Sequence, residues 1–467
     1  MKKSKLPVSW FKLGTICFLL LFLAITTSSI PSLQGKGKPK PVSTPLILSD
    51  SGNIVTCSLS RSNRQLKVWG HYGEVYENVW TADDVYYGAV AIGDIDGDSL
   101  KEIVGINFCK IYLGKGRSNY KYKVYLNVYK EGQEGIWITT YSDRDDNNII
   151  EEAPLYYIDF EIALDDLNEK SGNKDEIILR TSRYLAVYEY DHELGKLKKI
   201  ASRQLSADVL SNENEPFWLR SVTVGDIDGD TVKDILAVGN ILPGTENRGY
   251  LFICNLPASG SELDLSSLIE VPYNFADNSL RAGNIDGDNQ LELCTTAFFQ
   301  EYDDASSTTK YYSSYILIFD YTTNGVEMYD YVLVPNDTSW PWNHLDVGNL
   351  EGDPSQDEIA VLMGNLNQLW IYSWEDGLSF PADGLPTPTI IDLNPSAGIS
   401  DIVLGDTNYD EINEINIAGT YKLIKPPNKR SSYLAVYKYY NGTYQLLWDT
   451  VDADGSEITC LAVDKKI

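Results

Sequence analysis

Four stretches of this 467-residue chain carry oxygen-bearing side chains at positions one, three, five and nine of one short loop: GDIDGDSLKEI at 93–103, GDIDGDTVKDI at 225–235, GNIDGDNQLEL at 283–293 and GDTNYDEINEI at 405–415. The donors are Asp94, Asp96, Asp98 and Glu102; Asp226, Asp228, Asp230 and Asp234; Asn284, Asp286, Asp288 and Glu292; and Asp406, Asn408, Asp410 and Glu414. Hard oxygen donors at alternate positions of a tight loop converge on one point, and a calcium ion takes roughly 6–8 of them. A main-chain carbonyl at position seven completes such a set, so Leu100, Val232, Gln290 and Ile412 are expected to contribute backbone only. Gly97, Gly229 and Gly287 sit at position four, where a left-handed backbone would cost a residue with a Cβ, and Tyr409 takes that place in the last copy. With no glutamate at position twelve and no flanking amphipathic helices, the loop is not an EF-hand.

Two further copies are less regular. GNLEGDPSQDEI at 348–359 keeps Asn349, Glu351, Asp353 and Asp357 in register as candidate ligands, although the next apolar residue arrives one place late. LDDLNEKSGNKDEI at 164–177 offers Asp166 and Asn168 but carries extra residues before Glu176, which suits a solvated turn better than a metal loop.

Strands flank every loop. AVAIGD (89–94), VTVGD (222–226) and DIVLGD (401–406) lead in, and β-branched apolar runs such as EIVGI (102–106) and EIAVLMG (358–364) lead out. A tyrosine-rich third strand follows, as in YLAVYEYD (184–191) and YLAVYKYYNG (433–442), and turn pairs such as Asn324-Gly325 and Asn441-Gly442 return the chain into a fourth. Four antiparallel strands in each period of about sixty residues make a propeller blade. Position one recurs at Asp94, Asp166, Asp226, Asn284, Asn349, Asp406 and Asp464, so the expected fold is an all-β, seven-bladed β-propeller. The chain stops three residues after Asp464, and strand-like segments at 51–60, 65–70 and 75–80 supply what the last blade lacks, so both termini should close it. This register sets Cys57 opposite Cys460, which predicts a disulfide clasp, with two buried thiols as the alternative.

The chain's net charge of −29 disfavours nucleic acid, since phosphate binding needs clustered Lys and Arg; divalent cations would relieve the self-repulsion. Lys2, Lys3, Lys5 and Lys12 precede an apolar run at 13–25, followed by small residues to 29. This reads as a signal peptide over 1–29, the run being short for a membrane span, with a retained anchor as the alternative and the only route to a membrane. A flexible linker over 30–45 then leads into the propeller at 46–467. The expected location is secreted or extracellular.

These features resemble the FG-GAP repeat family, the seven-bladed propeller of integrin alpha subunits and of many secreted microbial proteins. The regular loops and YYGAVAIGDIDGD at 86–98 carry the resemblance, with Tyr87-Gly88 standing for Phe-Gly; the Gly-Ala-Pro element is not evident. The resemblance implies calcium on one face and ligand contact on the other, often in adhesion. The longest connections fall on that opposite face, at 114–121, 142–157, 240–249, 299–314 and 421–432, with Tyr86, Tyr87, Tyr156, Tyr157, Trp218, Trp340 and Trp342 placed just before first strands. Residue by residue, such aromatics pack between blades more often than they bind a partner. Glu301, Asp303, Asp304, Tyr311 and Tyr312 in one long connection fit a solvated insertion equally well.

His71, His192 and His344 fall in different repeats, each expected at the surface or in a turn, and no nucleophile, zinc or phosphate motif is present. The expectation is therefore a non-enzymatic binding or adhesion module for an extracellular protein or glycan, with no cofactor but Ca2+. The alternative is a carbohydrate-active enzyme such as a calcium-dependent polysaccharide lyase, for which Lys422, Lys425, Lys429 and Arg430 form the local basic cluster.

Overall fold

The computed structural model describes residues 52–463 apart from 59–64, 73–74, 84–86, 113–119, 132–136, 143–159, 168–173, 192, 211–216, 242–246, 289, 304–307, 324, 338–342, 365, 375–384, 423–429 and 453–457. The leader, the linker, Asp464, His192 and most of the long connections lie outside these residues, as do Tyr86, Tyr156, Tyr157, Trp340, Trp342, Asp304, Lys425 and Lys429. The side chains of Tyr87, Glu301, Asp303, Tyr311, Tyr312, Lys422 and Arg430 lie outside them too.

The described strands form seven antiparallel sheets, each led from the centre outward by an inner strand. Blade 1 comprises Tyr87–Gly93, Glu102–Tyr112, Tyr120–Glu131 and Trp137–Ser142; blade 2, Glu161–Asp165, Glu176–Arg180, Tyr184–Asp191 and Lys196–Gln204; blade 3, Phe217–Gly225, Asp234–Ile241, Gly249–Asn255 and Asp264–Val271. Blade 4 runs from a divided inner strand, Asn274–Phe275 and Arg281–Gly283, through Glu292–Asp303 and Thr308–Thr322 to Gly325–Asp337. Blade 5 comprises Asn343–Gly348, Glu358–Met363, Gln368–Tyr372 and Thr389–Asp392; blade 6, Ala397–Gly405, Glu414–Lys422, Arg430–Tyr440 and Thr443–Asp452. Blade 7 joins Ile458–Val463 to Asn53–Ser58, Gln65–Tyr72 and Val75–Asp83, so the two ends of the chain complete one sheet as expected. Cys57 pairs with Cys460 in that register and the two form a disulfide with a Cα–Cα distance of 5.4 Å.

The apolar core lies between blades. Seven clusters of buried side chains each draw on two neighbouring blades, for example Phe217, Phe252 and Cys254 of blade 3 against Ile178, Leu185 and Val187 of blade 2. This explains the sequence pattern: second strands are covered on both faces and read as unbroken apolar runs, whereas the outer strand Asp264–Val271 alternates between exposed and half-buried residues. Inner strands of neighbouring blades lie side by side around the whole ring. Close approach at the hub requires small residues there: a Cβ on Gly283 would lie 2.3 Å from Val347 Cγ1 of the next blade.

Candidate functional site

The acidic loops fold largely on their own carboxylates. In blade 1, Asp94 Oδ1 accepts from Gly97 N at 2.7 Å and Asp98 N at 3.2 Å, Asp94 Oδ2 accepts from Ser99 N at 2.8 Å, and Asp98 Oδ1 accepts from Leu100 N at 3.0 Å. Asp226 and Asp230 repeat this in blade 3, and Asp406 and Asp410 in blade 6. Position four takes the left-handed backbone in Gly97, Gly229, Gly287 and also in Tyr409, whose φ of 61° is uncommon for a residue with a bulky side chain. Ser99, Thr231 and Glu411 at position six are left-handed as well, which the sequence pattern did not signal. At position seven, Leu100 and Val232 leave their apolar side chains exposed.

Position nine has a second task. Its carboxylate accepts the amide of position two in six blades: Glu102 from Ile95, Glu176 from Leu167, Asp234 from Ile227, Glu292 from Ile285, Glu358 from Leu350 and Glu414 from Thr407. Burial pushes these groups up, Glu102 and Glu292 to about 8 and Glu176 and Glu358 to about 7, with neighbouring loop carboxylates adding to the effect. The pattern corrects one expected ligand: in blade 5 position nine belongs to Glu358, not Asp357. Strand register decides it, because the glycine before position one always pairs with position nine, as in Gly93 with Glu102 and Gly348 with Glu358. Asp357 reaches across to blade 4, where its Oδ2 accepts Asn284 N at 3.0 Å and its own amide donates to Asn284 O at 2.7 Å. Asp175 makes the same pair of bonds to Asp94 in blade 1. In blades 2 and 5 the residue before position nine fastens its blade to the preceding one.

Three of the loops bring carboxylate oxygens within 4.8 Å of one another: Asp94, Asp96 and Glu102; Asp226, Asp228 and Asp230; and Asp286, Asp288 and Glu292. In blade 1, Glu102 Oε1 is buried and makes no hydrogen bond. This donor chemistry fits a hard divalent cation. In blade 6 the set is turned inward instead, Asn408 Nδ2 donating to Glu414 Oε1 at 2.6 Å. In blade 5, Glu351 Oε1 accepts from Ser373 Oγ at 3.1 Å and Tyr444 Oη at 2.9 Å.

The hub carries a second constellation. Each inner strand pairs with its second strand on one edge and turns the other toward the channel, where amides need acceptors. Carboxylates of the preceding blade supply them: Glu161 Oε2 accepts Val222 N at 2.8 Å, Asp346 Oδ2 accepts Leu404 N at 2.7 Å, and Asp401 Oδ2 accepts Leu461 N at 3.0 Å. Arg281 links two of them, its Nε lying 2.8 Å from Asp346 Oδ1 and its Nη1 3.4 Å from Glu161 Oε1. Glu161, Arg281 and Asp346 line a cavity of about 320 Å³ within the ring. Burial pushes Asp401 up to about 7, although Arg281 and its backbone donors oppose the shift.

At the end of the inner strands away from the loops, the interrupted inner strand of blade 4 swings Asp277 and Asn278 toward blade 3. Arg220 Nη1 donates to Asp277 Oδ1 at 2.6 Å, and the Arg220 guanidinium lies 5.3 Å from the Trp218 ring centroid. The fully buried Arg180 donates to Leu219 O at 2.7 Å and to Asn278 Oδ1 at 3.0 Å. His344 lies two residues before Asp346 on its strand, hence on the same side. Its Nδ1 is buried without a hydrogen-bond partner, and burial lowers its pKa to about 4, with Asp277 raising it and Arg281 lowering it. The expectation of a surface or turn histidine fails at this position. A signal was present: Arg281, Asp346 and Asp401 are charges inside inner strands.

No family model matches the chain, and no curated protein matches it, so the FG-GAP resemblance rests on loop motif and blade count alone. Solved structures do match in fold. An α-L-arabinofuranosidase from Fusarium graminearum is 11% identical, covering 83% of this chain and 98% of its own, with a TM-score of 0.47. An α-L-arabinanase from Penicillium chrysogenum is 9% identical (82% and 98% covered, TM-score 0.42), and an exotype rhamnogalacturonan lyase 12% identical (85% and 76%, TM-score 0.38). At these identities and scores the likeness assigns neither substrate nor residues. The expectation that the chain is not an enzyme is corrected to this extent: these solved structures, which share its propeller fold, are enzymes, so the fold gives no ground for excluding catalysis.

Proposed function

We propose that this chain is an exported, calcium-stabilised propeller that acts on carbohydrate at the end of its central channel away from the acidic loops, in the manner of a polysaccharide lyase. The observation that carries the reading is His344, an imidazole kept neutral at physiological pH, with buried Nδ1 unpaired, beside Asp277 and Arg281. A neutral imidazole is able to take a proton, and a substrate carboxylate arriving beside it would raise its basicity. Arg220 and Arg281 are paired here with Asp277, Asp346 and Glu161, and a uronate carboxylate would have to share or replace those partners; Trp218 has an aromatic face of the kind on which sugar rings stack. Proton abstraction next to that carboxylate, with loss of the glycosidic oxygen, leaves an unsaturated sugar.

The disulfide supports export, since such bonds persist in oxidising compartments. No helix among the described residues is long and apolar enough to cross a membrane. Calcium would be held in the loops of blades 3 and 4, by Asp226, Asp228 and Asp230 in one and by Asp286, Asp288 and Glu292 in the other; bound there it would offset part of the chain's −29 charge. The test is incubation of the calcium-loaded protein with uronic-acid and neutral polysaccharides, following new ultraviolet absorbance and reducing ends. Absorbance on a uronic-acid polymer is expected. Binding without any product would leave a recognition module in its place.

A further inference from the structure

Outside the acidic loops, the third-strand position facing position nine differs in charge from blade to blade. In blade 1 that residue is Lys130, in register with Glu102. Its Nζ is seated among the loop carboxylates, 2.7 Å from Asp96 Oδ2, in an ion pair with Asp98, and 3.5 Å from Glu102 Oε1, the buried oxygen that has no hydrogen bond. Blade 6 repeats the arrangement: Lys438, one step beyond the Ile415–Tyr437 pair, makes an ion pair with Asp410 and lies 3.2 Å from Glu414 Oε1. The corresponding residues elsewhere are not cationic. Asn255 faces Asp234 in blade 3 and donates to its Oδ1 at 2.8 Å, and Asp320 lies one step beyond the Leu293–Phe319 pair in blade 4, facing Glu292.

We propose that Lys130 and Lys438 are built-in counter-cations that occupy the cation position of their loops, so that divalent metal is confined to loops whose third strand offers no lysine. An ammonium supplies one positive charge and three donors, which match the inward-facing oxygens of Asp96, Asp98 and Glu102. A divalent ion entering there has to displace a tethered cation that also lies between two strands of the same sheet. In blade 4 the entering ion meets a further carboxylate, Asp320, instead. The sequence motif is thus the same in four copies, whereas its occupant is set by a residue roughly thirty positions later in the chain. This inference rests on the calcium reading for blades 3 and 4.

Calcium stoichiometry by equilibrium dialysis and calorimetry tests it, with Lys130→Gln, Lys438→Gln and the charge-preserving Lys130→Arg and Lys438→Arg. Each Gln variant is expected to bind one calcium more than the parent protein and to melt lower in chelator, with calcium restoring the loss; the Arg variants should keep the parental stoichiometry. Unchanged stoichiometry in the Gln variants, beside a parent protein that binds calcium, overturns the counter-cation role and leaves the calcium reading intact. A parent that binds none while each Gln variant binds one supports the lysine role and removes the calcium reading of blades 3 and 4. No binding in any of the proteins overturns both.

Discussion

Cys57 and Cys460 sit 403 residues apart and join the first strand of the described chain to the last, so their bond closes almost the whole propeller into one covalent loop. Cutting it by the double substitution Cys57→Ala, Cys460→Ala leaves the native contacts nearly as they are and frees the unfolded chain. The loop-closure expression gives about 6 kcal/mol for a loop of this length, and losses on removing native disulfides run about 2–5 kcal/mol, so about 4 kcal/mol is the working figure. A unit of roughly 420 residues unfolds with an entropy of about 0.9 kcal/mol/K, which converts that figure into a melting-point drop of about 4–6 °C. The assay is a thermal melt in calcium of the parent, the parent in reductant, and the double variant. Hydrogen exchange should place the earliest loss of protection in 53–58 and 458–463, the two strands the bond joins. A melting point within about a degree of the oxidised parent, or peptide mapping that recovers both thiols free, would refute the clasp.

Two opposed pH ramps are expected from the hub. Burial raises Asp401 to about 7, so its contribution is full below its unfolded pKa near 4 and is lost as pH rises to about 7. His344 is lowered to about 4, so its contribution is present above about 6.5 and lost as pH falls toward 4. At about 1.4 kcal/mol per pH unit each ramp amounts to roughly 3–4 kcal/mol, and in the parent they largely cancel. The raised loop glutamates add falling ramps of their own, so the readout is the change of slope against the parent. In denaturant melts between pH 4 and 6.5, Asp401→Asn should make the slope of stability with pH more positive, and His344→Gln more negative, each by about 1.4 kcal/mol per pH unit; parental slopes in both variants would show these groups do not titrate as described. Separately, Gly283→Ala should cost about 1–3 kcal/mol in urea unfolding, because its Cβ would meet Val347 Cγ1 at 2.3 Å, and a neutral effect would mean the inner strands have room to part.

The loops and the blade count were readable in the sequence because both depend on local spacing. Asp, Gly and Asp at fixed offsets fold a loop through hydrogen bonds to its own amides, and the copies recur at the length of one blade. The split blade followed from the same ruler. Asp357 was assigned wrongly because Pro354–Gln356 makes that loop one residue longer, and only pairing with Gly348 shows that Glu358 must face inward. The hub could not be read that way. Arg281, His344, Asp346 and Asp401 come from three blades and meet only when the ring closes, so no spacing in the chain announces them. Lys130 and Lys438 were hidden for a related reason: register across two strands, not loop sequence, brings them to the carboxylates.

The most direct test of the functional account is turnover of uronic-acid polysaccharide by the calcium-loaded protein beside its His344→Gln variant, both confirmed to be folded and disulfide-bonded. The account predicts a steady rise in ultraviolet absorbance with the parent protein and at least a hundredfold slower rise with the variant, at unchanged substrate binding. Turnover by His344→Gln at the parental rate, or none by either protein across acidic and neutral polysaccharides, would contradict it.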